Sequence, residues 1–211
     1  TRIGAYHILH GVDLEVPEGQ VTMLLGRNGA GKTTTLRTIM GLWAASSGEL
    51  AFRGESIRGL GVPDIALRGI AYVPENMGIF TDLSVQENML LAARGARHAQ
   101  QLDQARLDWI FGLFPALHKF WLYPAGKLSG GQKQMLAVAR AIVEPRSLIL
   151  IDEPSKGLAP SIVQNLIRAF GELKRQRTTI LLVEQNVAMA RALGDRVAVM
   201  DDGRVVHAGA I

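Results

Sequence analysis

The stretch from residue 21 to residue 42 constrains the fold most. It places an apolar run, a glycine-rich loop and an amphipathic segment in direct succession. VTMLL (21–25) is typical of a buried β-strand, and GRNGAGKT (26–33) follows it without a gap. KTTTLRTIMGL (32–42) then repeats apolar residues at helical spacing. A strand that enters a helix through so tight a glycine loop predicts the β-loop-α unit of an α/β protein.

The rest of the chain predicts strands and helices in alternation, and hence a largely parallel sheet. LILI (148–151) and TTILLV (178–183) are aliphatic runs typical of strands buried inside such a sheet. QKQMLAVARAIVEP (132–145) predicts a helix that Pro145 ends, and Pro160 is well placed as the first residue of the next helix. The apolar face expected for that helix consists of Ile162, Leu166, Ile167, Phe170 and Leu173.

Three further segments are predicted with less regular patterns. RVAVM-DDG-RVVHAG (196–209) is typical of a hairpin whose turn is Asp202-Gly203. ELAFRGESI (49–57) indicates an exposed strand with a turn, and residues 84–123 are expected to be mostly helical.

Composition excludes several classes of protein. The 211 residues are 48% hydrophobic and 20% charged, which suits one globular domain. Cysteine is absent, so disulfides and thiolate metal sites are excluded. The net charge of +4 is scattered without a basic stripe, which argues against nucleic-acid binding. No secretory signal is visible, and the apolar runs fall far short of the roughly 20 residues of a membrane span.

The loop at 26–33 fits G-x-x-x-x-G-K-[ST] in the strand-to-helix context that this motif requires. Its backbone N–H groups and the helix N-terminus form a phosphate cradle. Lys32 is expected to reach the β- and γ-phosphates of a nucleotide, and the Thr33 hydroxyl to ligate Mg²⁺. The expected nucleotide-binding residues here are Gly26, Asn28, Gly29, Ala30, Gly31, Lys32, Thr33 and Thr34.

Two adjacent carboxylates, Asp152 and Glu153, end the run LILI. Carboxylates there are costly to desolvate unless positive charge compensates them. In nucleotide triphosphatases an acid at such a strand end holds Mg²⁺, which predicts that role for Asp152. Glu153 is then predicted to be the general base for the attacking water. The alternative is a helix N-cap acid beside a chance neighbour.

LSGGQ (128–132) precedes the helix at 132–145 and predicts a second anion site at a helix start. Its expected contact residues are Ser129, Gly130, Gly131 and Gln132. One phosphate loop hardly needs a second cap for the same nucleotide. The economical interpretation is that LSGGQ contacts a nucleotide held by another copy, across a head-to-tail two-fold dimer.

The order and spacing of the phosphate loop, LSGGQ and LILIDEP resemble the nucleotide-binding subunits of ABC transporters along essentially the whole chain. The resemblance implies an α/β fold with a RecA-like phosphate-loop core, a mostly parallel sheet, an antiparallel β subdomain and a helical subdomain at roughly 84–145. It implies one domain over 1–211 whose first strand is truncated before Thr1. It also implies an ATP-sandwich dimer, with Mg²⁺ as cofactor and Ile3 or Tyr6 against the adenine.

Three departures from the family pattern resemble one branch of it. Glu75 in YVPEN stands where the family usually has a glutamine that ligates Mg²⁺. Gln185 in LLVEQN stands where a histidine usually contacts the γ-phosphate, and Ala159 replaces an aspartate. With VPE, GLAP and VEQN together, the chain is similar to the ATPases of importers for branched-chain amino acids and related amides. The roles implied are metal ligation for Glu75 and Asp152, and catalysis for Glu153, Gln185 and Lys32.

That branch implies the partners and the location of the chain. They are a second ABC ATPase (in a homo- or heterodimer), transmembrane permease subunits and, indirectly, a solute-binding protein. The chain would lie at the cytoplasmic face of the inner membrane. The alternatives are the ATPase of a lipopolysaccharide exporter, a soluble non-transport ABC ATPase and a nucleotide-binding regulator that does not hydrolyse ATP. The sequence does not name the solute.

Residues 107–126 contain six of the twelve aromatic side chains. Trp109, Phe111 and Phe114 are expected in the core of the helical region. Part of the cluster formed by Phe120, Trp121 and Tyr123 is predicted to line a groove for a cytoplasmic helix of a membrane subunit, with residues 75–80 as its other wall. The scattered histidines have no metal-ligand spacing.

Overall fold

The computed structural model describes residues 1–3, 6–93, 96 and 98–211, with side chains described at residue 1 and from residue 7 onward. The strands are β1 (Arg2–Ile3), β2 (Tyr6–His7), β3 (Val21–Gly26), β4 (Ala51–Phe52), β5 (Glu55–Ser56), β6 (Ile70–Val73), β7 (Leu148–Asp152), β8 (Ile180–Glu184), β9 (Arg196–Asp201) and β10 (Arg204–Ala210).

The helices alternate with the strands over much of the chain. They are α1 (Lys32–Ile39), α2 (Val62–Leu67), α3 (Val85–Ala92), α4 (Gln104–Leu113), α5 (Pro115–Lys119), α6 (Gly130–Ile142), α7 (Pro160–Arg175) and α8 (Val187–Leu193), with 3₁₀ turns at Ala99–Gln101 and Ala125–Lys127. Within the residues described, no helix is long and apolar enough to cross a membrane.

Six strands form the central sheet in the order β10-β9-β3-β8-β7-β6. All neighbours are parallel except β10, which pairs antiparallel with β9 through the turn at Asp202 and Gly203. Both turn residues have positive φ angles, 43° and 70°, as the predicted Asp-Gly hairpin requires. Because β3, β8 and β7 are parallel neighbours, their carboxyl ends lie at one edge of the sheet.

Alternate strand residues pack on opposite faces of this sheet. Met23, Ile151 and Leu182 belong to the core on one face, together with residues from α3 to α8. Leu24 and Leu150 belong to the core on the other face, with side chains from α1 and α2. Both faces are therefore covered, which explains why these strands are continuous aliphatic runs rather than alternating ones.

The predicted elements are present, with shifted boundaries. The first helix ends at Ile39 because Gly41 leaves the helical conformation with φ +70°. The helix predicted at 132–145 begins at Gly130, since Ser129 caps it, and ends at Ile142. The expected apolar face of α7 packs against the core, with Ile162 and Ile167 half-buried, and Val163 and Ala169 are buried beside it.

Candidate functional site

The phosphate loop runs from the end of β3 to the start of α1 and lies against the end of β9. A Cβ at Gly26 would stand 2.5 Å from the carbonyl oxygen of Met200. Gly31 has φ +102°, and a Cβ there would stand 2.8 Å from Leu9 Cδ2. Gly203 N–H also donates to the carbonyl of Ala30 at 3.0 Å. Gly26 and Gly31 are therefore required for the close approach of the loop to its neighbours.

The Lys32 side chain binds the backbone of its own phosphate loop. Its ammonium donates to the carbonyl oxygens of Gly26 (2.9 Å) and Arg27 (3.0 Å). It also lies 3.3 Å from Glu153 Oε1, and both side chains are buried. The phosphate loop and the strand end at β7, which are more than 100 residues apart in the chain, thus meet in one buried ion pair.

Asp152 is fully buried and held by two hydroxyl groups. Thr33 Oγ1 donates to its Oδ1 at 3.1 Å, and the Tyr72 hydroxyl donates to its Oδ2 at 3.3 Å. Burial raises the pKa of Asp152 above its usual range, and the carboxylates of Glu153 and Glu75 add to this rise. Burial and the charge of Asp152 raise the pKa of Tyr72 to about 12, so its hydroxyl stays a donor.

Tyr72 is a site residue that the sequence analysis missed. It lies in β6 and pairs with Leu150 of the neighbouring strand β7. The available signal was its position three residues before Glu75, but no strand was predicted there. Tyrosine is common in strands, so the residue type alone did not mark it.

Glu153 and Gln185 are in direct contact. Gln185 Nε2 donates to Glu153 Oε1 at 2.9 Å and to Asn28 Oδ1 at 2.7 Å. Glu153 has φ +45°, a conformation uncommon for a residue with a side chain, and its N–H donates to Val183 in β8 at 2.9 Å. The structure thus brings together the predicted base, the predicted phosphate-contacting amide and the phosphate loop.

Glu75 lies at the rim of the site rather than inside it. Its Oε1 accepts a hydrogen bond from Lys156 Nζ at 2.5 Å, and Lys156 also lies 3.7 Å from Glu153 Oε2. The hydrogen bond and the charge of Glu75 raise the pKa of Lys156. Glu75 is close enough to Asp152 to raise its pKa, but in this arrangement its carboxylate is paired with a lysine.

The donor set fits a magnesium ion that is shared with a nucleotide. Mg²⁺ usually takes one or two carboxylates and completes its shell with water and substrate phosphates. Thr33 and Asp152 offer a hydroxyl and a carboxylate side by side, at the end of the phosphate loop. Within the described part of the chain no group of three or more histidine, aspartate and glutamate side chains forms an all-protein cage. A cation beside Asp152 would also offset the cost of burying its charge.

The LSGGQ segment (128–132), called the signature from here on, caps α6 but is separate from the phosphate loop. Ser129 Oγ accepts from Gln132 N–H at 3.3 Å, and Gln132 Oε1 accepts from Ser129 N–H at 2.9 Å, which forms a capping box. A Cβ at Gly131 would stand 2.7 Å from Ile162 Cγ2, so this glycine lets α6 approach α7. Among the described residues no hydrogen bond joins 128–132 to the phosphate loop.

The loop after Glu75 is fixed by two side chains that the sequence analysis also missed. Asn88 is fully buried, accepts from Phe80 N–H and donates to the Phe80 and Ser84 carbonyls, each at 2.9 Å. Arg140 of α6 donates to the Gly78 carbonyl. The two predicted adenine contacts, Ile3 and Tyr6, have side chains outside the described part of the chain.

Comparison with known proteins identifies the family. The family model described as "ABC transporter" matches residues 9–156. The chain belongs to the ABC transporter family. It is an ATPase of that family, and the α/β fold with a mostly parallel sheet is the one predicted.

Two curated ABC proteins resemble this chain over nearly all of its length. It is 41% identical to the high-affinity branched-chain amino acid transport ATP-binding protein BraG of Pseudomonas aeruginosa, over 98% of this chain and 88% of BraG. It is 36% identical to the probable branched-chain amino acid transport ATP-binding protein LivF of Archaeoglobus fulgidus, over 96% of this chain and 86% of LivF.

Solved structures of ABC ATPases are similar as well. One described as an ATP-binding subunit of an ABC transporter is 30% identical, with a TM-score of 0.83 over 99% of this chain and 86% of that one. The dimeric structure of the bacterial ABC transporter cassette MJ0796 is 25% identical, with a TM-score of 0.85 over 96% of this chain and 90% of that one. Nucleotide binding by this chain follows from its membership of the family.

Proposed function

We propose that this chain is the ATP-hydrolysing subunit of an importer for branched-chain or other hydrophobic amino acids, or for related amides. The observation that carries the proposal is the 41% identity with BraG over 98% of the chain. The site residues agree with this branch, because Glu75 and Gln185 stand where the lipopolysaccharide exporter alternative would keep glutamine and histidine.

In the proposed mechanism, the phosphate loop and Lys32 bind the phosphates of ATP. Thr33 and Asp152 would hold Mg²⁺, which would offset negative charge on the phosphates. Glu153 accepts a proton from the attacking water, for which it needs only hydrogen-bond reach. Gln185 fixes the Glu153 carboxylate and offers an amide N–H in place of the family's histidine. Positioning and electrostatic stabilisation supply most of the acceleration in phosphoryl transfer. Glu75, whose carboxylate is paired with Lys156 here, would be a further oxygen ligand for the ion.

The signature of one subunit completes the site of another in this proposal. Ser129 and Gly130 are exposed, and the N–H groups of Gly130 and Gly131 have no acceptor within the helix, whereas Ser129 Oγ accepts from the Gln132 N–H. They would contact the γ-phosphate of a nucleotide held by a second ABC ATPase, identical or different, in a head-to-tail dimer. ATP would close the dimer, and hydrolysis with product release would open it.

The surface for the membrane subunits is proposed at the junction of two loops. Backbone hydrogen bonds join Val85 to Tyr123, Gln86 to Trp121 and Ala125 to Leu83 at 2.8–3.1 Å, so the segment that follows residues 75–80 lies beside the other predicted wall of the groove. The exposed large apolar side chains there are Phe80, Leu122 and Tyr123. Of the aromatics expected in the core, Phe114 is fully buried, whereas Trp109 and Phe111 are half-buried.

This surface gives the chain its proposed location and organisation. Residues 84–145 act as a helical subdomain that transmits the state of the nucleotide, through the loop that carries Glu75, to the permeases. The permeases hold the chain at the cytoplasmic face of the inner membrane, and a solute-binding protein delivers the amino acid to them. Nucleic acid has no part in this function.

The experiment is capture of partners by the Glu153→Gln protein from gently solubilised native membranes with Mg-ATP, followed by mass spectrometry. The substitution keeps the closed dimer from hydrolysing its ATP. Recovery of two permeases and an ABC ATPase, with loss of leucine uptake by cells that carry the variant, supports the importer. Recovery of soluble partners alone would move the chain to the non-transport class, and recovery of exporter permeases would assign it to export.

A further inference from the structure

Glu184 is a buried carboxylate with no part in the mechanism above. It is the last residue of β8 and is only 2% exposed. Its Oε1 accepts a hydrogen bond from the Ser155 N–H at 2.9 Å. Its Oε2 accepts from the N–H groups of Gln185 at 3.1 Å and Asn186 at 3.3 Å. The two oxygens of one side chain therefore hold two different loops.

A carboxylate at this position needs a physical reason. Glu184 follows four fully buried aliphatic residues and pairs in register with Leu25 of β3, so an aliphatic side chain would suit the strand. Burial of a charged group is costly unless hydrogen bonds compensate it, and three backbone N–H groups do so here. These three N–H groups belong to two loops and bind the same carboxylate, so Glu184 organises both loops.

The two loops carry the groups that are proposed to act on water and phosphate. Ser155 lies two residues after Glu153, whose φ of +45° needs neighbouring contacts to hold it. Gln185 begins the other loop, and its Nε2 donates to Glu153 Oε1 at 2.9 Å. A shift of either loop would lengthen that hydrogen bond. Among the described residues Glu184 makes no hydrogen bond to the phosphate loop, which would lose at most the contact between Asn28 and Gln185 and would keep its contacts with Met200 and Gly203.

We infer that Glu184 is a positioning residue for ATP hydrolysis, which fixes the loop after Glu153 and the Gln185 turn relative to each other. The inference rests on the proposed roles of Glu153 and Gln185. It separates the rate of ATP hydrolysis from the affinity for ATP. Glu184 sets the rate of the chemical step and leaves the affinity for ATP to the phosphate loop.

The test is Glu184→Gln, which keeps size and shape but leaves one acceptor oxygen. The amide NH₂ must then face the N–H of one loop, so that loop loses its anchor. We expect kcat to fall about tenfold or more, since small misplacements of a catalytic group have large effects on rate. The dissociation constant for Mg-ATP should change less than about twofold. Glu172→Gln, in the exposed ion pair with Arg175 on α7, is the matched control and should keep wild-type rates.

A double-substitution cycle asks whether Glu184 acts through Gln185. Gln185→Ala removes the contact with Glu153 directly, so adding Glu184→Gln to it should lower kcat by clearly less than the product of the two single effects. Strictly multiplicative effects would contradict a shared path, as would a Glu184→Gln enzyme with wild-type kcat.

Amide hydrogen exchange tests the inference without reference to hydrolysis. In Glu184→Gln the Ser155 amide, or the Gln185 and Asn186 amides, should exchange about tenfold faster, with Leu150 and Leu182 in the adjacent strands unchanged. Faster exchange throughout β7 and β8 would assign Glu184 to global stability and overturn the inference. A wild-type chain that fails to hydrolyse ATP would contradict the proposed function instead, and the exchange result would still decide whether Glu184 holds both loops.

Discussion

Gln185 donates a hydrogen bond to the carboxylate of Glu153 across the gap between β8 and β7, at 2.9 Å. The same carboxylate oxygen lies 3.3 Å from Lys32 Nζ, so an amide and an ammonium converge on it. A glutamine amide does not titrate, whereas a histidine at this position would change charge near neutral pH. Gln185 therefore contributes an uncharged amide donor to this contact throughout the physiological pH range.

The first prediction concerns Glu153→Gln. The new amide oxygen can still accept from Gln185, so the local arrangement persists, but the side chain can no longer take a proton. ATP hydrolysis should fall by about 100-fold or more, which is the usual contribution of a general base. Phosphate release measures the rate, and equilibrium binding of Mg-ATP should remain close to wild type. Hydrolysis at the wild-type rate would exclude Glu153 as the base.

The second prediction concerns the buried pair of Lys32 and Glu153, which are 4% and 8% exposed. Lys32→Met leaves the Glu153 charge buried with only Gln185 and the more distant Lys156 near it. The free energy of unfolding should fall by about 3 kcal/mol, as expected when one partner of a buried ion pair is removed. Urea unfolding of the nucleotide-free chain measures this, and the Lys32→Met/Glu153→Gln double variant should recover most of the loss. A double variant with a still lower free energy of unfolding would show that the buried ion pair does not explain the loss of stability.

The third prediction is a pH dependence of stability that arises from Asp152. Its pKa is raised in the folded chain, mainly by burial, so its contribution to stability is fully present below about pH 4 and is lost as pH rises through the folded pKa. Asp152→Asn removes this loss. Without nucleotide or Mg²⁺, the variant should unfold at higher urea concentration than wild type at pH 8, and the difference should shrink toward pH 4.

Asp82→Asn, which changes an exposed aspartate, is the control for that pH series and should show no such trend. The Asp152→Asn variant should also lose the additional stabilisation that Mg²⁺ gives in the presence of ATP. An unchanged response to Mg²⁺ would remove Asp152 from the metal site.

Much of the sheet and of the nucleotide site follows from local sequence patterns. The aliphatic runs of β7 and β8, the Asp202-Gly203 turn and the phosphate loop each carry their structure within a few residues. The encounter of Lys32 with Glu153 was also predictable in outline, because both follow strands that are neighbours or near neighbours in a parallel sheet.

Several of the side chains that the sequence analysis missed act over long sequence separations and have ordinary residue types. Tyr72 contacts Asp152 across 80 positions, and Glu184 holds Ser155 across 29. Neither belongs to a local motif, since a strand tyrosine and a strand-end glutamate have many uses. The pairing of Glu75 with Lys156 depends likewise on two loops meeting in space. Such contacts are set by the sheet order and by loop packing, which no short pattern encodes.

The fourth prediction separates the two glycines of the signature. Gly131→Ala places a Cβ 2.7 Å from Ile162 Cγ2, so α6 and α7 must move apart or Ile162 must change rotamer. Overpacking of this kind should lower the free energy of unfolding by about 1–3 kcal/mol. Gly130→Ala is the matched control, because the nearest atom to its Cβ would be Leu158 Cδ2 at 4.0 Å. Thermal or urea unfolding distinguishes the two, and equal stability of both variants would contradict the role assigned to Gly131.

The fifth prediction tests the proposed docking surface with Leu122→Glu. Leu122 is 74% exposed beside Trp121 and Tyr123, so a charge there should cost the fold little while opposing an apolar partner. Permease recovery in the Mg-ATP capture experiment and leucine uptake should both fall at least tenfold, with ATP hydrolysis by the isolated chain unchanged. Leu67→Glu, a leucine 68% exposed on α2, provides the matched control and should leave capture and uptake intact. If both variants bind the permeases equally well, the docking surface lies elsewhere on the chain.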